Sequence, residues 1–133
     1  MIIVDSSVWI DYFTGKNTSG AEKLDALLGD ELIAIGDLML VEVLQGFRTN
    51  KDFRQAKQLL LSISVVNILD TTIALKSAAN FRTLRKKGIT VRKAIDTIIA
   101  TYCIENKLSL LHSDKEFQPF HQHLKLKNAL AGT

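Results

Sequence analysis

"MIIVDSSVWIDYF", residues 1–13, sets an apolar run, one acid and two serines ahead of a second apolar cluster built on Trp9, Ile10, Tyr12 and Phe13. Ile2 to Val4 are too uniformly apolar to alternate across a half-exposed sheet and too few for a core helix. They read as a short strand buried on both faces. Ser6 or Ser7 can satisfy the free amides at a helix start, so a helix is expected directly behind the strand. Asp5 then falls at the strand's carboxyl end, where an acid needs a reason.

The same strand-to-helix order recurs outward from this stretch. "SGAE" at Ser19 to Glu22 has capping-box spacing ahead of Leu24, Leu27 and Leu28, and Gly29 is placed to stop that helix. "ELIAIG" at 31–36 reads as extended; Asp37 is expected to cap an apolar helix through Phe47, and Asn50 another that carries Phe53, Ala56, Leu59, Leu60 and Ile63. "VVNIL" at 65–69 reads as a core strand bounded by Asp70. A helix marked by Ala74, Leu75, Ala78, Ala79 and Leu84 follows and stops at Gly88. Thr90 is expected to cap the next, whose stripe is Ile95, Ile98, Ile99, Tyr102 and Cys103; "LSLLH" at 108–112 is a clear strand, and "LKL" near 124 a short last one. Apolar strands separated by helices predict a three-layer α/β/α sandwich on a short parallel central sheet.

A chain of 133 residues is expected to form a single domain spanning 1–133, since halves would bury too little core. Its 47% hydrophobic and 23% charged residues exclude a disordered or fibrous chain. The opening "MIIVDSS" has no basic residue before its apolar run, and no apolar run approaches the roughly 18 residues needed to span a bilayer, so a cytoplasmic protein without a membrane anchor is expected. Cys103 is the only cysteine, which rules out an internal disulfide and a multi-cysteine zinc site and suggests a buried thiol. The formal charge of +3 permits an anionic partner without requiring one.

Four carboxylates interrupt apolar surroundings: Asp5 after the first strand, Glu42 in "LMLVEVL", Asp96 in "KAIDTIIA" and Asp114 after "LSLLH". Taken singly, Asp5 or Asp114 is explained equally well as a helix cap, and Glu42 or Asp96 as one half of an ion pair or as a helix-edge residue. Together they point further. Ligands in parallel sheets gather at the carboxyl ends of strands, where Asp5 and Asp114 fall. Two carboxylates about 5 Å apart repel by roughly 3 kcal/mol at an effective dielectric near 20, so such a group calls for a counter-ion. No thiolate or histidine pair is spaced to help, which leaves a hard cation bound through oxygen, Mg²⁺ or Mn²⁺, and phosphodiester hydrolysis as the matching chemistry. Arg82, Arg85, Lys86 and Lys87, then Arg92 and Lys93, with Arg48, Lys51, Arg54 and Lys57 elsewhere, either are solvated helix faces or form a basic rim for a nucleic-acid backbone.

The stretches "IIVDSSVWIDYF", "VEVLQGF", "AIDTIIATYCIENKLSLLHSD" and "KEF" resemble, in order and over nearly the whole chain, the PIN-domain ribonucleases, in particular the VapC-type toxins of toxin-antitoxin pairs. The resemblance carries the family's acidic quartet onto Asp5, Glu42, Asp96 and Asp114, its polar residue after the first aspartate onto Ser7, and an accessory acid onto Glu116. It implies a PIN fold, Mg²⁺- or Mn²⁺-dependent endoribonuclease activity on an RNA substrate, homodimerisation, and a cognate VapB-like antitoxin that inserts a segment into the catalytic groove. One departure stands out: His112 occupies a position where many relatives carry threonine.

Two other classes fit parts of the pattern. A receiver domain also binds Mg²⁺ with acids at strand ends, and Asp70 would be its phospho-acceptor, but "LSLLHSD" ends without the lysine it needs. A haloacid-dehalogenase-like phosphatase needs a second aspartate where Ser7 stands. The remaining alternative is a noncatalytic RNA-binding or interaction module on the same fold.

Overall fold

The structure, a computed structural model, describes residues 1–30 and 32–130. Its elements are β1 (Ile2–Val4), α1 (Ser6–Phe13), α2 (Ser19–Leu27), β2 (Ile33–Gly36), α3 (Asp37–Leu44), α4 (Asn50–Leu61), β3 (Ser64–Val66), α5 (Thr71–Lys86), α6 (Ala94–Glu105), β4 (Ser109–Leu111), a 3-10 turn (Lys115–Phe117), α7 (Gln118–Leu124) and β5 (Lys127–Asn128). Glu31, the first residue of the expected extended piece, and residues 131–133 lie outside the description.

All strand pairs are parallel, in the order β3-β2-β1-β4-β5, with Val4 opposite Leu111. The chain runs from β1 outward to β3 on one side, returns to β4 on the other side of β1, and ends at β5. Right-handed crossovers put helices of opposite progression on opposite faces. The packing agrees: α1 lies against α2 and α3, and α3 against α4, while α5 packs on α6 and α7. This is the expected three-layer α/β/α sandwich. Its core holds Trp9, Phe117 and Phe120 with Ile3, Leu24, Ile35, Met39, Leu60, Ile99 and Leu110, all fully buried. β1 and β4 are the switch point of the sheet, so a crevice opens where their carboxyl ends diverge.

Several boundaries differ from expectation, mostly by one residue in the same sense. The caps are Asp5 rather than Ser6 or Ser7, Thr18 rather than Ser19, and Thr49 rather than Asn50; each side-chain oxygen accepts an amide two or three residues on. In every case adjacent residues are both competent caps, and the choice falls to how the preceding segment enters the helix. Gly36, not Asp37, precedes α3, which ends at Leu44 rather than Phe47. Asp37 Oδ1 instead accepts from Leu38 N and, at 3.1 Å, from Ile68 N, tying α3 to the segment after β3. Lys93, without a side-chain cap bond, takes the place expected of Thr90.

The expected core strand at 65–69 is an edge strand, Ser64–Val66, because only β2 flanks it and Val65 faces solvent. The apolar run continues only to let Ile68 plug the core. The expected strand near 124 is helix there, with β5 beginning at Lys127; Pro119 in the first turn of α7 is a helix-starting position. Gly36 is required by close approach. A Cβ there would overlap Ile68 Cδ1 and lie 2.8 Å from Met39 Sδ.

Candidate active site

Each expected acid reaches the crevice from its own element. Asp5 closes β1, with its amide on Leu111 O at 2.8 Å, and its side chain caps α1. Cap and buried acid are one residue here, not alternatives. Asp5 Oδ2 accepts from Ser7 N at 3.1 Å and from Ser7 Oγ at 2.6 Å. Ser7 Oγ in turn accepts the Ser113 amide at 3.2 Å, stitching the ends of β1 and β4 together. Glu42, half-buried on α3, accepts from Ser6 Oγ at 3.1 Å. Asp96 sits in the first turn of α6 and Asp114 precedes the 3-10 turn, where its Oδ1 accepts the Glu116 amide at 3.0 Å.

Burial and mutual repulsion set the electrostatics. Asp5 is 4% exposed and Asp96 6%. Burial, then the field of Asp5, raises the Asp96 carboxyl from 3.8 to about 6, with Asp114 and Glu42 adding to the rise and Lys93 opposing it. Asp5 is raised mainly by burial against the hydrogen bonds from Ser7, and Asp114 adds to the rise. Glu42 is raised by burial and by Asp5, and lowered by Ser6 and Lys93. Asp96 therefore feels all three of the other acids, Asp5 feels Asp114, and Glu42 feels Asp5. Lys93 is the cation set against two of them, and Arg92 Nε lies 3.9 Å from Glu116.

Asp96 Oδ2 is buried with no hydrogen-bond partner. A carboxylate oxygen in that condition costs several kcal/mol unless protonated or given a cation, of order 1–3 kcal/mol even for a neutral group. Among the described residues, no three His, Cys, Asp or Glu side chains close tightly enough to enclose an ion by themselves. Mg²⁺ or Mn²⁺ needs no such cage: one or two carboxylates bind it directly, waters complete its shell, and further acids act through those waters. The all-oxygen donor set and the orphaned Asp96 oxygen fit such an ion.

The crevice opens into two depressions. One, about 510 Å³, is lined by Ser7, Ile10, Asp11, Lys16, Ser113, Asp114 and Lys115. The other, about 170 Å³, lies on the Glu42 side between Ile10, Phe13, Val43 and Phe47. Two larger cavities of about 610 Å³ touch none of the four acids and have no part in the site. Lysines flank the first opening and apolar side chains line the second.

Three contributors were not legible as such. Ser6, expected only as a cap, holds Glu42; Asp11 takes the Ser113 hydroxyl at 3.0 Å; and His121 contacts His112, with Nε2 atoms 2.8 Å apart. The Ser6–Glu42 and Asp11–Ser113 pairs join segments 36 and 102 residues apart, beyond any local periodicity. Cys103 is the buried thiol expected, pushed by burial up to about 12.

Comparison with known proteins places this architecture. The PIN domain family model matches residues 2–120. Ribonuclease VapC11 of Mycobacterium tuberculosis is 28% identical over 119 residues, covering 88% of this chain and 89% of that protein. VapBC2 from Rickettsia felis, bound to a DNA fragment from its promoter, includes a chain matching with a TM-score of 0.72 at 19% identity, over 96% of this chain and 97% of that one. DNA-bound VapBC from Salmonella typhimurium matches with a TM-score of 0.73 at 16% identity, over 96% and 95%.

Proposed function

From the premise that the chain belongs to the PIN domain family, we propose that it is an endoribonuclease, the toxin of a toxin-antitoxin pair, whose RNA-cleaving centre is the group Asp5, Glu42, Asp96 and Asp114. The observation that carries this is the orphaned, buried oxygen of Asp96 in a crevice shared with three other acids. A receiver domain has no support from this family membership, and neither does a phosphatase nucleophile at Asp5.

Asp5, Asp96 and either Glu42 or Asp114 would hold a Mg²⁺ or Mn²⁺ ion, and the remaining acid with Glu116 would help a second ion or a water. The ion supplies Lewis acidity and charge neutralisation at the phosphodiester. The chain's own groups do the rest. Ser7 and Ser6 hold Asp5 and Glu42 in orientation, each by a hydroxyl hydrogen bond. Lys93, Arg92, Lys16 and Lys115 surround the acids with positive charge that keeps a polyanion against an acidic centre. Burial at the sheet end keeps bulk water off Asp5, which strengthens the charge interactions it makes.

The antitoxin is expected to enter the same crevice, with the apolar pocket beside Glu42 as its foothold, and the chain to act in the cytoplasm as a homodimer. No helix among the described residues is long and apolar enough to cross a membrane. The most exposed large apolar side chains, Leu75 and Val41, lie on α5 and α3 and are the first places to look for a dimer face. Light scattering that returns the mass of one chain would reject the dimer.

A circular RNA tests the endonucleolytic reading, because only an internal cut can linearise it. The protein should open such circles with Mg²⁺ or Mn²⁺, and Asp96→Asn should not. Circles that survive while linear RNA is trimmed would contradict an endonuclease; binding without cleavage in any metal would favour a noncatalytic RNA-binding module.

A further inference from the structure

His112 follows β4 directly and is 6% exposed, an imidazole buried two residues from an acid of the site. Its hydrogen bonds form a chain. Asp114 N donates to His112 Nδ1 at 3.2 Å; His112 Nε2 and His121 Nε2 are 2.8 Å apart; His121 Nδ1 lies 2.8 Å from Leu126 O. The ring centroids are 5.1 Å apart with planes 18° from parallel. That separation is the N···N distance plus a ring radius at each end, so the rings meet edge to edge and nearly coplanar, as a ring-to-ring hydrogen bond requires.

Only one arrangement of protons satisfies every link. A neutral imidazole has one donor and one acceptor nitrogen. The Asp114 amide is a donor, so His112 Nδ1 must be bare and its Nε2 must carry hydrogen. That hydrogen points at His121 Nε2, which must then be bare, and His121 Nδ1–H donates to the Leu126 carbonyl. Reversing the direction would set two N–H groups against each other at the Asp114 end and leave a carbonyl facing a lone pair at the other. Phe117 closes the side of the His112 ring, with centroids 4.8 Å apart. The chain is thus anchored at a carbonyl just before β5 and ends on the backbone of Asp114.

We propose that His112 is a positioning residue for Asp114, held by His121 in the single tautomer that can accept the Asp114 amide. The effect is on orientation. With its amide pinned to His112 and its Oδ1 on the Glu116 amide, Asp114 has its backbone and one carboxylate oxygen fixed, and its other oxygen makes no hydrogen bond among the described residues and is left for the crevice. The consequence for cleavage rests on the nuclease reading above; the proton order and the pinned amide do not.

The test uses the full chain. Long-range ¹H–¹⁵N spectra of histidine-labelled protein at neutral pH should show His112 as the Nε2–H tautomer and His121 as the Nδ1–H tautomer. His112 as Nδ1–H, or either ring as a cation, would overturn the proposal. His112→Asn puts an amide oxygen where Nδ1 stood and keeps the acceptor, whereas His112→Phe keeps a ring and loses it. The Phe variant should exchange the Asp114 amide at least about tenfold faster and lose roughly ten- to a hundredfold in kcat with KM for RNA little changed, since a small misplacement of a reacting group costs on that scale. The Asn variant should recover most of both. An Asn variant as impaired as the Phe variant would mean that the ring only packs. Should His112→Phe fail to fold, His121→Phe gives the same decision: it removes the acceptor that fixes the tautomer, so the Asp114 amide should exchange faster, and unchanged exchange with an unchanged His112 tautomer would overturn the proposal. Wild-type protein that cleaves no RNA would sink the nuclease reading alone, with tautomer and exchange still deciding the pinning.

Discussion

Asp96→Asn should stabilise the metal-free protein, and the gain should disappear in acid. The Asp96 carboxyl lies at about 6 in the fold against an ordinary 3.8, so the native state holds this proton more tightly than the unfolded chain does. Between those two values the native state binds more protons, and stability falls as pH rises. Above about 6 the full penalty applies; below about 3.8 there is none. A displacement of about two pH units at about 1.4 kcal/mol per unit sets an upper bound near 3 kcal/mol. The carboxyl opens onto a solvated crevice, and screening there brings the figure to roughly 1–2 kcal/mol. Asparagine removes the charge while nearly conserving shape, and its own buried amide adds an offset that does not vary with pH. Urea unfolding in EDTA at about pH 7.5 and about pH 4, for both proteins, isolates the pH-dependent part. The variant's advantage should be larger at the higher pH by about 1–2 kcal/mol. An advantage equal at both pH values, or larger in acid, would refute the claim that Asp96 is held as a destabilised anion.

The same charge arithmetic predicts that Mg²⁺ or Mn²⁺ raises the melting temperature of wild-type protein, with EDTA reversing it and Asp96→Asn blunting it, because only the native state gathers the acids; a calorimetric scan indifferent to either ion would count against the cluster. Ser7→Ala removes the 2.6 Å hydroxyl bond to Asp5 and the acceptor for the Ser113 amide, and should cost about 1–2 kcal/mol in urea unfolding together with cleavage rate; unaltered stability and rate would dismiss the stitch. Gly36→Ala drives a methyl into buried Ile68 and Met39 and should cost about 1–3 kcal/mol, read as a lower urea midpoint at unchanged slope. Burial and the neighbouring His121 hold His112 down to about 4 against an ordinary 6.5, so its contribution to stability is present above 6.5 and is lost as pH falls through about 4. His112→Asn should flatten that acid limb, and an acid limb as steep as the wild type's would contradict a buried neutral ring.

The layer order and the four acids were legible because they rest on local signals. Val4 and Leu111 end short apolar runs, and an acid follows each within three residues. Most helix starts were legible to within a residue or so, since Thr18 and Ser19 compete as caps on equal chemical terms and only the tertiary entry of the chain decides between them; α6, which starts after Lys93 and not Thr90, is the exception. β3 was misjudged as a core strand because "VVNIL" is apolar for two different reasons: Val66 pairs at the edge while Ile68 fills the core past the strand's end. α7 hid behind a run with little helical periodicity, although Pro119 marked its first turn. The supports of the site were beyond reach. Ser7 to Ser113 and Asp11 to Ser113 bridge more than 100 residues, and the His112–His121 pair lies on no common helix face or strand. Sequence shows which residues carry charge into apolar places; only the fold shows what holds them there.

The most direct test of the metal-dependent RNA-cleaving centre is a cleavage time course on a mixed RNA pool, with purified, antitoxin-free protein in EDTA, Mg²⁺ and Mn²⁺, and Asp5→Asn alongside. The account predicts intact RNA in EDTA, discrete fragments with either ion, and intact RNA for the variant in every condition. Fragments that persist in EDTA, or an Asp5→Asn protein that cuts as fast as wild type, would contradict it.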